Sequence, residues 1–520
     1  MKKLPNNLKR RLNLNVLPLR ASKIVFCLLL AGCTVGPDYQ APEHQVAQWP
    51  DSGLDYETQR SMAELDWREF YPELELQALI EQALLNNLTL KQSIETVRQS
   101  ARIRTSSDLA VLPVVGANLT GEREKTSALT STVSSLKDEY ALNAGVSWEI
   151  DFWGKLARAS ESALATYEAD RASLYAAKIS LIAKVAALYY DIQNVMASIE
   201  LTNANISSRG ASRDIAVLRH KQGVISGLDV RQAEVELAQE KIKIPALEKR
   251  KQALMYELSV LVAQPPQEQT IGKRVDNLTY LGAIPSGLPA DLLKRRPDVI
   301  AAERRIQAAS AKIGVAKASY FPNIALTGRF GTKSTDFSDL LLSDGKTWKL
   351  GGNLTMPLFD WGKISRNVDN AESQYQVALM RYQAQVLEAL REVATTLASY
   401  HEAFEIYDLQ TSLVAATKEN LRIARLRYQN GVVSYLDVLD AQRSHASAEV
   451  ALSSSISAKQ IAMVNLYHSL GGGWQTAERQ CVYEDEKSLT DRAQEAYNDV
   501  VDNDSTNTTV DNEAVRCIEN

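Results

Sequence analysis

RHKQGVISGLDV at residues 219–230 and RYQNGVVSYLDV at residues 427–438 are two copies of one motif in this chain of 520 residues. Gly431 in the second copy follows Gly223 in the first by 208 residues. Self-similarity at a fixed spacing indicates a duplicated architecture, in which each half of the chain builds the same unit. The chain therefore divides into two halves that share one order of elements.

A second pair of motifs keeps the same spacing. FWGK at residues 152–155 is matched by DWGK at residues 360–363, again 208 residues later. Pro113 and Pro322 each follow an apolar residue and lie 209 residues apart, so a one-residue insertion or deletion separates otherwise parallel halves. Chance would not keep this register over three motifs.

Alternating segments between these motifs predict β-strands. Residues 140–150 and 347–358 alternate apolar side chains with small or polar ones, a period of two. Weaker segments of the same kind precede them at residues 114–122 and 323–331. Segments of about ten residues with this pattern are typical of transmembrane β-barrel strands. Soluble amphipathic hairpins are the alternative.

Four strands are too few to close a barrel. An open sheet edge in lipid leaves backbone N–H and C=O groups unpaired, and each unpaired group costs several kcal/mol. Barrels begin at about eight strands, so at least two chains are needed, and three would enclose a lumen wide enough to conduct. The strand count thus predicts an oligomer.

Very long helices are predicted after each WGK motif. Helical patterning continues over residues 156–222 and 364–430 without a proline, and shorter helices return over residues 228–262 and 436–470. A helix of about 65 residues extends about 100 Å. Apolar residues recur at steps of three and four, which predicts coiled-coil-like helical hairpins. A soluble helical bundle fits these stretches alone but explains neither the strands nor the N-terminus.

The N-terminus predicts an exported lipoprotein. Basic residues precede an apolar run at residues 24–30, which is too short to span a bilayer of about 30 Å and is typical of a signal peptide. LAGC at residues 30–33 resembles the lipobox of bacterial lipoproteins, so Cys33 would become the acylated first residue. Thr34 at the next position favours the outer membrane, by resemblance to the lipoprotein sorting rule. The alternative is a signal sequence that is cut elsewhere.

Composition argues against several function classes. The formal net charge is −5, without the basic stripe that binding to nucleic acid requires. The five histidines are scattered and no C-x-x-C motif occurs, so neither a metal site nor a cofactor is expected. No nucleophile elbow or paired-carboxylate motif is found, so no catalytic residue is assigned, and an envelope hydrolase is the weakest alternative.

Two cysteines remain in the exported chain beyond Cys33. Cys481 and Cys517 either form a disulfide that ties down the C-terminal segment or stay free thiols, and the sequence favours neither. The segment around them is rich in acids, Asn, Ser and Thr, which predicts a mobile, solvated tail over residues 475–520. No function is assigned to this tail.

Three groups of motifs together carry a family resemblance. CTVGPDYQAP at residues 33–42, the paired WGK motifs, and residues 427–443 are similar to the N-terminus, the strand-to-helix junctions and the periplasmic tip of the TolC-like outer membrane factors. The resemblance extends from Cys33 to Trp474 and is to the lipoprotein branch that serves resistance-nodulation-division (RND) pumps. It implies a mainly α fold with a membrane β-barrel: a homotrimer with a twelve-stranded barrel and a periplasmic helical tunnel.

The same resemblance implies a function and partners. The chain would be the exit duct of a tripartite efflux pump in the outer membrane of a Gram-negative bacterium, conducting drugs or other toxic small molecules passively. Its partners would be a periplasmic adaptor, an inner-membrane RND transporter and outer-membrane lipid. A type I secretion duct and a periplasmic scaffold lipoprotein without a pore are the alternatives.

Four residues of the second hairpin match a gate. Leu436 and Asp440 match positions that line the closed aperture, while Arg427 and Tyr428 match positions that tether neighbouring hairpins. A ring of carboxylates attracts cations, and a ring of Leu blocks hydrated solutes by dewetting. The alternative role for Asp440 is to complement the dipole at the start of a helix.

The hairpin turns and the strand-to-helix junctions complete the sites that the resemblance implies. The turns that would meet the adaptor contain Gly223, Val224, Ser226, Leu228, Gly431, Val432, Ser434 and Leu436. The junctions contain Trp153, Gly154, Trp361 and Gly362. In each turn the Gly allows a left-handed helix end, and the Ser can cap the next helix. Asp229 and Asp437 are interpreted as acids of a helix start.

The predicted organisation has five segments. They are a signal peptide at residues 1–32, a first repeat at 33–262, a linker at 263–293, a second repeat at 294–474 and the acidic tail at 475–520. Trp148, Trp153, Trp348 and Trp361 are expected in an interfacial belt, with plain core positions as the alternative.

Overall fold

A computed structural model describes most of the chain between Thr34 and Trp474. The described residues are 34–42, 62, 65–125, 136–272, 274, 295–472 and 474. Cys33, Cys481 and Cys517 lie outside them, as do the predicted signal peptide and the acidic tail. Lipidation, the disulfide and the extent of those two segments therefore stay predictions.

Two halves with the same order of elements follow two short helices, α1 (Trp67–Phe70) and α2 (Leu74–Asn86). The first half contains α3 (Leu88–Leu109), β1 (Val114–Lys125), β2 (Leu136–Ile150), α4 (Lys155–Lys221) and α5 (Gly227–Leu261). The second half contains α6 (Pro297–Ala318), β3 (Asn323–Ser334), β4 (Lys346–Thr355), α7 (Lys363–Gln429) and α8 (Tyr435–Ser469). The predicted order of helix, two strands, very long helix and return helix is confirmed. α4 and α7 have 67 residues each, and α5 and α8 have 35 each.

The element boundaries locate the one-residue offset between the halves. Pro297 at the start of α6 follows Leu88 of α3 by 209 residues, whereas Lys363 at the start of α7 follows Lys155 of α4 by 208. The offset between the halves therefore changes from 209 to 208 residues somewhere between the first helix of each half and its very long helix. The connection from β3 to β4 also contains two 3₁₀ turns, Phe337–Asp339 and Ser343–Gly345.

The chain divides into two compact units. One contains the described residues within 1–40, 102–165 and 307–377, including all four described strands. The other contains the described residues within 41–101, 166–306 and 378–520, which are mainly helical.

The strands form one antiparallel sheet in the order β1-β2-β3-β4, with an apolar and a polar face. Val146 lies opposite Val115, and Trp148 lies opposite Leu326, so apolar residues of neighbouring strands share a face. The exposed apolar side chains on this face are Val115, Leu119, Leu142, Val146, Trp148, Leu326, Phe330, Trp348, Leu350 and Leu354. A soluble hairpin would cover such a face, whereas a barrel strand presents it to lipid.

Both outer strands have a free edge in the described chain. β1, with 12 residues, pairs only with β2, and β4, with 10 residues, pairs only with β3. The four described strands therefore leave the sheet open at both edges, in agreement with the strand count expected from the sequence.

An apolar core holds the helical unit together. Phe70 stacks on Tyr467 with ring centroids 4.2 Å apart, and the Tyr467 hydroxyl donates to the Leu65 carbonyl at 2.8 Å. Tyr190 and Ile192 of α4 are fully buried in the same core. Of the described helices, only α4 contains an 18-residue window apolar enough to cross a membrane, and 56% of that window is buried. Core packing therefore accounts for its composition.

A buried arginine joins the start of α6 to α7 and α8. Arg296, 5% exposed, donates to Asp298 and Glu392, each at 2.7 Å, and to the Ser469 carbonyl at 2.9 Å. The hydrogen bond with His468, assisted by the charge of Arg296, lowers the pKa of Glu392 to about 2. Glu392 therefore remains a carboxylate under all but strongly acidic conditions.

Gly331 is required by the close approach of β2 to β3. A Cβ at this position would lie 2.1 Å from the Leu142 carbonyl oxygen and 2.7 Å from Oδ1 of Asn143. The Asn143 side chain is only 6% exposed although it lies on the polar face, because it packs over Gly331. A side chain at position 331 would push the two strands apart.

Gly331→Ala should lower the free energy of unfolding by about 1–3 kcal/mol, the usual cost of overpacking. Denaturant unfolding in detergent, followed by tryptophan fluorescence, measures this change. Gly116→Ala is the matched control, because nothing lies within 4 Å of a Cβ there. Equal effects of the two substitutions would contradict the packing argument.

Glu392 predicts a pH dependence of stability. Its pKa in the folded chain, about 2, lies below the ordinary value of 4.5, so its contribution is complete above about pH 4.5 and is lost as the pH falls towards 2. Glu392→Gln should destabilise the protein at pH 7 and flatten the loss of stability between these pH values. Thermal unfolding between pH 2 and pH 7 tests this, with the exposed Glu388→Gln as control. A pH profile that Glu392→Gln leaves unchanged would show that the assignment is wrong.

Candidate functional site

Each helical hairpin ends in the same turn. Gly223 and Gly431 have φ of +75° and +72°, the left-handed region that side chains rarely adopt. The amide of Val224 donates to the Arg219 carbonyl at 3.0 Å, and the amide of Val432 donates to the Arg427 carbonyl at 2.9 Å. This six-to-one hydrogen bond is the Schellman ending of a helix. The left-handed Gly predicted for each turn is confirmed.

A capping box starts each return helix. The Ser226 amide donates to the Asp229 carboxylate at 3.1 Å, and the Ser434 amide donates to the Asp437 carboxylate at 2.9 Å. The Ser434 hydroxyl also donates to Asp437 at 2.7 Å, and these bonds hold the pKa of Asp437 below its usual range. Asp229 and Asp437 are thus occupied at helix starts, as the sequence indicates.

The two hairpins of one chain pack together near their turns. Ala216 of α4 and Val230 of α5 form a small buried cluster with Val438 and Leu439 of α8. The Arg219 guanidinium lies over the Tyr428 ring, 5.0 Å from its centroid. Tyr428 therefore contacts the other hairpin, as a tethering residue would.

The structure brings three of the predicted gate residues together. Leu436 and Asp440 lie one turn apart on one face of α8, and with Arg427 they line the same shallow depression. All three side chains are exposed, Leu436 by 53%. Within the described residues, no hydrogen bond or ion pair engages the side chain of Arg427 or Asp440. Their polar groups therefore remain available to another subunit.

A buried charge cluster near the hairpin turns is not indicated by any pattern in the sequence. Arg209 of α4, 7% exposed, contacts Glu236 and also Glu240 of α5, whose carboxylates are buried with it. Arg443 of α8 donates to Glu236 at 3.0 Å, which ties the second hairpin to the first. Glu240 also binds Lys243, three residues later on the same helix, at 3.0 Å, but only the fold reveals the contacts with Arg209 and Arg443. Removing Arg209 would take away the buried cation that the two carboxylates share.

The two strand-to-helix junctions differ. Gly154 and Gly362 have φ of +72° and +76°, so both turns need glycine. Trp153 stacks on Phe321 at 4.7 Å and donates from Nε1 to the Pro322 carbonyl at 2.8 Å, whereas Trp361 is 86% exposed. Trp153 is thus packed within the chain and does not take the interfacial position expected from the sequence, whereas the interfacial role of Trp361 stays a prediction.

An N-terminal arm, residues 34–40, docks on the first junction. The Val35 amide donates to the Trp153 carbonyl at 3.1 Å, and Asp38 accepts from Arg158 at 2.6 Å. A Cβ on Gly314 would lie 2.8 Å from the Val35 carbonyl oxygen, so glycine is needed for this approach. These contacts fix the arm on the first strand-to-helix junction and on the helices α4 and α6 beside it. Spacing in the sequence gives no sign of this contact.

The comparisons with known proteins fit this geometry. The family model described as outer membrane efflux protein matches residues 79–262 and 288–472. The antibiotic efflux pump outer membrane protein ArpC of Pseudomonas putida is 33% identical over 463 residues, which cover 87% of this chain and 95% of ArpC. The outer membrane protein OprJ of Pseudomonas aeruginosa is 32% identical over 462 residues, which cover 87% of this chain and 95% of OprJ.

A solved structure agrees with these sequence matches. The crystal structure of the open state of the MtrE outer membrane channel of Neisseria gonorrhoeae has a TM-score of 0.78 at 30% identity, covering 85% of this chain and 98% of that chain. The resemblance, the mainly helical fold with its four-stranded sheet, and the outer-membrane location expected from the sequence are therefore confirmed. With the family model matching well over half of its length, this chain belongs to the outer membrane efflux protein family.

Proposed function

We propose that this chain works as a homotrimer that forms the outer-membrane channel of a tripartite efflux pump. The observation that carries the proposal is a sheet with an exposed apolar face and two free edges. Pairing β4 of one copy with β1 of the next would supply the missing backbone hydrogen bonds and keep the apolar faces towards lipid. Because the four strands alternate in direction, this new pair would be antiparallel, like the others.

A trimer of this kind encloses a conduit. Pairing of β4 in one copy with β1 in the next is a head-to-tail contact between two different edges. Such contacts form a closed ring when the rotation from each copy to the next adds up to a full turn. Two copies would give eight strands, a barrel whose interior side chains fill, whereas three give twelve strands and a wider lumen. The long helices α4 and α7 would continue the wall into the periplasm.

The gate is assigned to Leu436 and Asp440. Both are exposed on one face of α8, and in a trimer three copies of this face would converge on the axis. A ring of Asp440 carboxylates would attract cations, and a ring of Leu436 side chains would exclude water. Helix-start chemistry does not account for Asp440, because Asp437 already completes the capping box.

Tethers beside the gate would hold it closed. Arg427 is exposed and suited to an ion pair or hydrogen bond with a neighbouring subunit, while Tyr428 and Arg219 already join the two hairpins of one chain. The buried Glu236, which accepts from the exposed Arg443, adds a second link between those hairpins. Opening of the tip would require these contacts between hairpins to break.

The hairpin turns are assigned to the adaptor. Their exposed apolar side chains include Val224, Leu228 and Val432, each more than 60% exposed. Exposed apolar surface of this kind is typical of an interaction site. A periplasmic adaptor docked here would connect the channel to an inner-membrane RND transporter, which supplies the energy. The channel itself performs no enzymatic chemistry.

The lipid anchor is assigned to Cys33. The arm after it is docked on the first strand-to-helix junction, so acyl chains on Cys33 would enter the membrane next to the barrel. Residues 1–32 would be removed, 33–262 and 294–474 would form the two repeats around the linker 263–293, and 475–520 would form the tail.

The cargo is assigned to toxic small molecules. Relatives are named for the efflux of antibiotics, as ArpC is, and of toluene, as TtgC of Pseudomonas putida is. Drugs and apolar solvents of this kind are the proposed cargo here.

The gate assignment predicts a change in conductance. Leu436→Ser with Asp440→Ala should raise the single-channel conductance of the purified trimer in planar bilayers roughly twofold or more, because the constriction loses its bulk and its charge. The internal repeat offers a matched control, Leu228→Ser with Gln232→Ala, at positions 208 residues earlier. Conductance that rises in neither variant would reject the gate assignment, and a protein without any conductance would reject the channel.

The buried tether predicts a combined loss of stability and of closure. Glu236→Gln should lower the free energy of unfolding by about 3 kcal/mol, because it removes the closer carboxylate partner of the buried Arg209 and the acceptor of Arg443, and should raise the open fraction in single-channel recordings. Glu419→Gln breaks an exposed pair with Arg422 and should change stability by less than about 1 kcal/mol. Equal effects of the two variants would contradict a tether.

A further inference from the structure

Two cations lie directly opposite each other on the polar face of the sheet. Arg329 of β3 is paired in register with Lys349 of β4, and both side chains are exposed. Across the sheet, the same row continues through Gly145 of β2 to Gly116 of β1. Like charges directly opposite each other are unfavourable, so this arrangement costs stability unless an anion relieves it.

No carboxylate of the described chain neutralises this pair. Neither side chain forms a salt bridge or hydrogen bond with the described residues. On the same face of β2, Glu139 and Glu149 are six and four residues from Gly145, about 20 and 13 Å along the strand. Both already have partners, since Glu139 binds Lys333 at 2.6 Å and Glu149 accepts from Asn323 at 3.0 Å.

Other cations of the sheet do find a carboxylate across a strand boundary. Arg123 of β1 binds Asp138 of β2 through two bonds, of 2.7 and 2.9 Å, and Lys333 of β3 binds Glu139 of β2. The sheet can therefore pair its charges. The row of Arg329 and Lys349 instead has small neutral neighbours on the polar face, including Gly145 and Thr327.

We propose that Arg329 and Lys349 form an anion-attracting ring inside the conduit, which selects for solutes that carry a carboxylate, sulfonate or phosphate group. The proposal rests on the trimer described above, in which the polar faces line the lumen. Three copies then bring six cations to one level of the barrel. Rings of Arg and Lys favour anions in pores, and Arg can bind a carboxylate or phosphate with two parallel hydrogen bonds.

The glycines of the row leave the lumen open beside this ring. Gly116 and Gly145 add no side chains, so Arg329 and Lys349 are the groups that project at this level. A passing anion can therefore reach them without displacing other side chains. Because both cations remain open to water, binding is weak enough for release, as conduction requires.

Ion selectivity in planar bilayers tests the ring. The parent is the gate variant Leu436→Ser with Asp440→Ala, which removes the acidic ring at the tip as a competing selectivity element. Adding Arg329→Gln and Lys349→Gln should lower the permeability ratio of chloride to potassium about threefold, measured from the reversal potential in a KCl gradient. Adding Lys346→Gln is the matched control, because Lys346 is exposed on the same strand but, opposite Thr332, on the other face.

The outcomes separate this proposal from the channel itself. A parent variant that conducts while the ratio stays unchanged in the double Gln variant overturns the ring and leaves the channel intact. A parent variant without any conductance overturns the channel proposal. Arg329→Lys with Lys349→Arg keeps both charges and should retain the selectivity of the parent. Loss of selectivity in this variant as well would indicate disturbed folding in place of a charge effect and would also overturn the ring.

Discussion

Backbone hydrogen bonds at the two sheet edges are the constraint on which this molecule depends. β1 and β4 each offer one row of N–H and C=O groups without a partner in the described chain. Water can satisfy such groups on a soluble protein, but hydrocarbon cannot. The exposed apolar face of the sheet favours burial in lipid. In lipid, however, the unpaired N–H and C=O groups of the two edges would be energetically costly. Pairing of β4 in one copy with β1 in the next, as proposed, would satisfy both demands.

The duplicated chain is a consistent answer to this constraint. Each half supplies one hairpin and connects it to a helix of 67 residues through a glycine with positive φ, at Gly154 and Gly362. The two strand-to-helix junctions nevertheless differ in the contacts that their tryptophans make. Trp153 packs on Phe321 and receives the N-terminal arm, whereas Trp361 stays exposed. One junction is therefore packed within the chain, while the other leaves its tryptophan exposed.

Local patterns in the sequence predicted the structural features that depend on neighbouring residues. Alternation predicted the apolar face, and the Gly and Ser of each turn predicted a helix ending and a helix start, because these depend on residues a few positions apart. The link between Glu236 and Arg443 was not predicted, since 207 residues separate its members and no periodicity connects them. The docking of Asp38 on Arg158 was missed for the same reason. The gate residues came from resemblance, because exposure on one chain cannot reveal a site that only several chains assemble.

Two charged levels of opposite sign follow from these assignments, and their order bears on how a passive conduit treats its cargo. Asp440 would place carboxylates at the periplasmic tip, whereas Arg329 and Lys349 would place cations within the barrel. A cation attracted by Asp440 at the tip would be repelled by Arg329 and Lys349 in the barrel. An anion that passes the tip would be attracted by these two cations. Neither cations nor anions would be attracted at both levels, so a charged solute would not be bound too tightly to leave the conduit. Conduction needs sites strong enough to admit a solute and weak enough to release it, and alternating exposed rings meet both conditions.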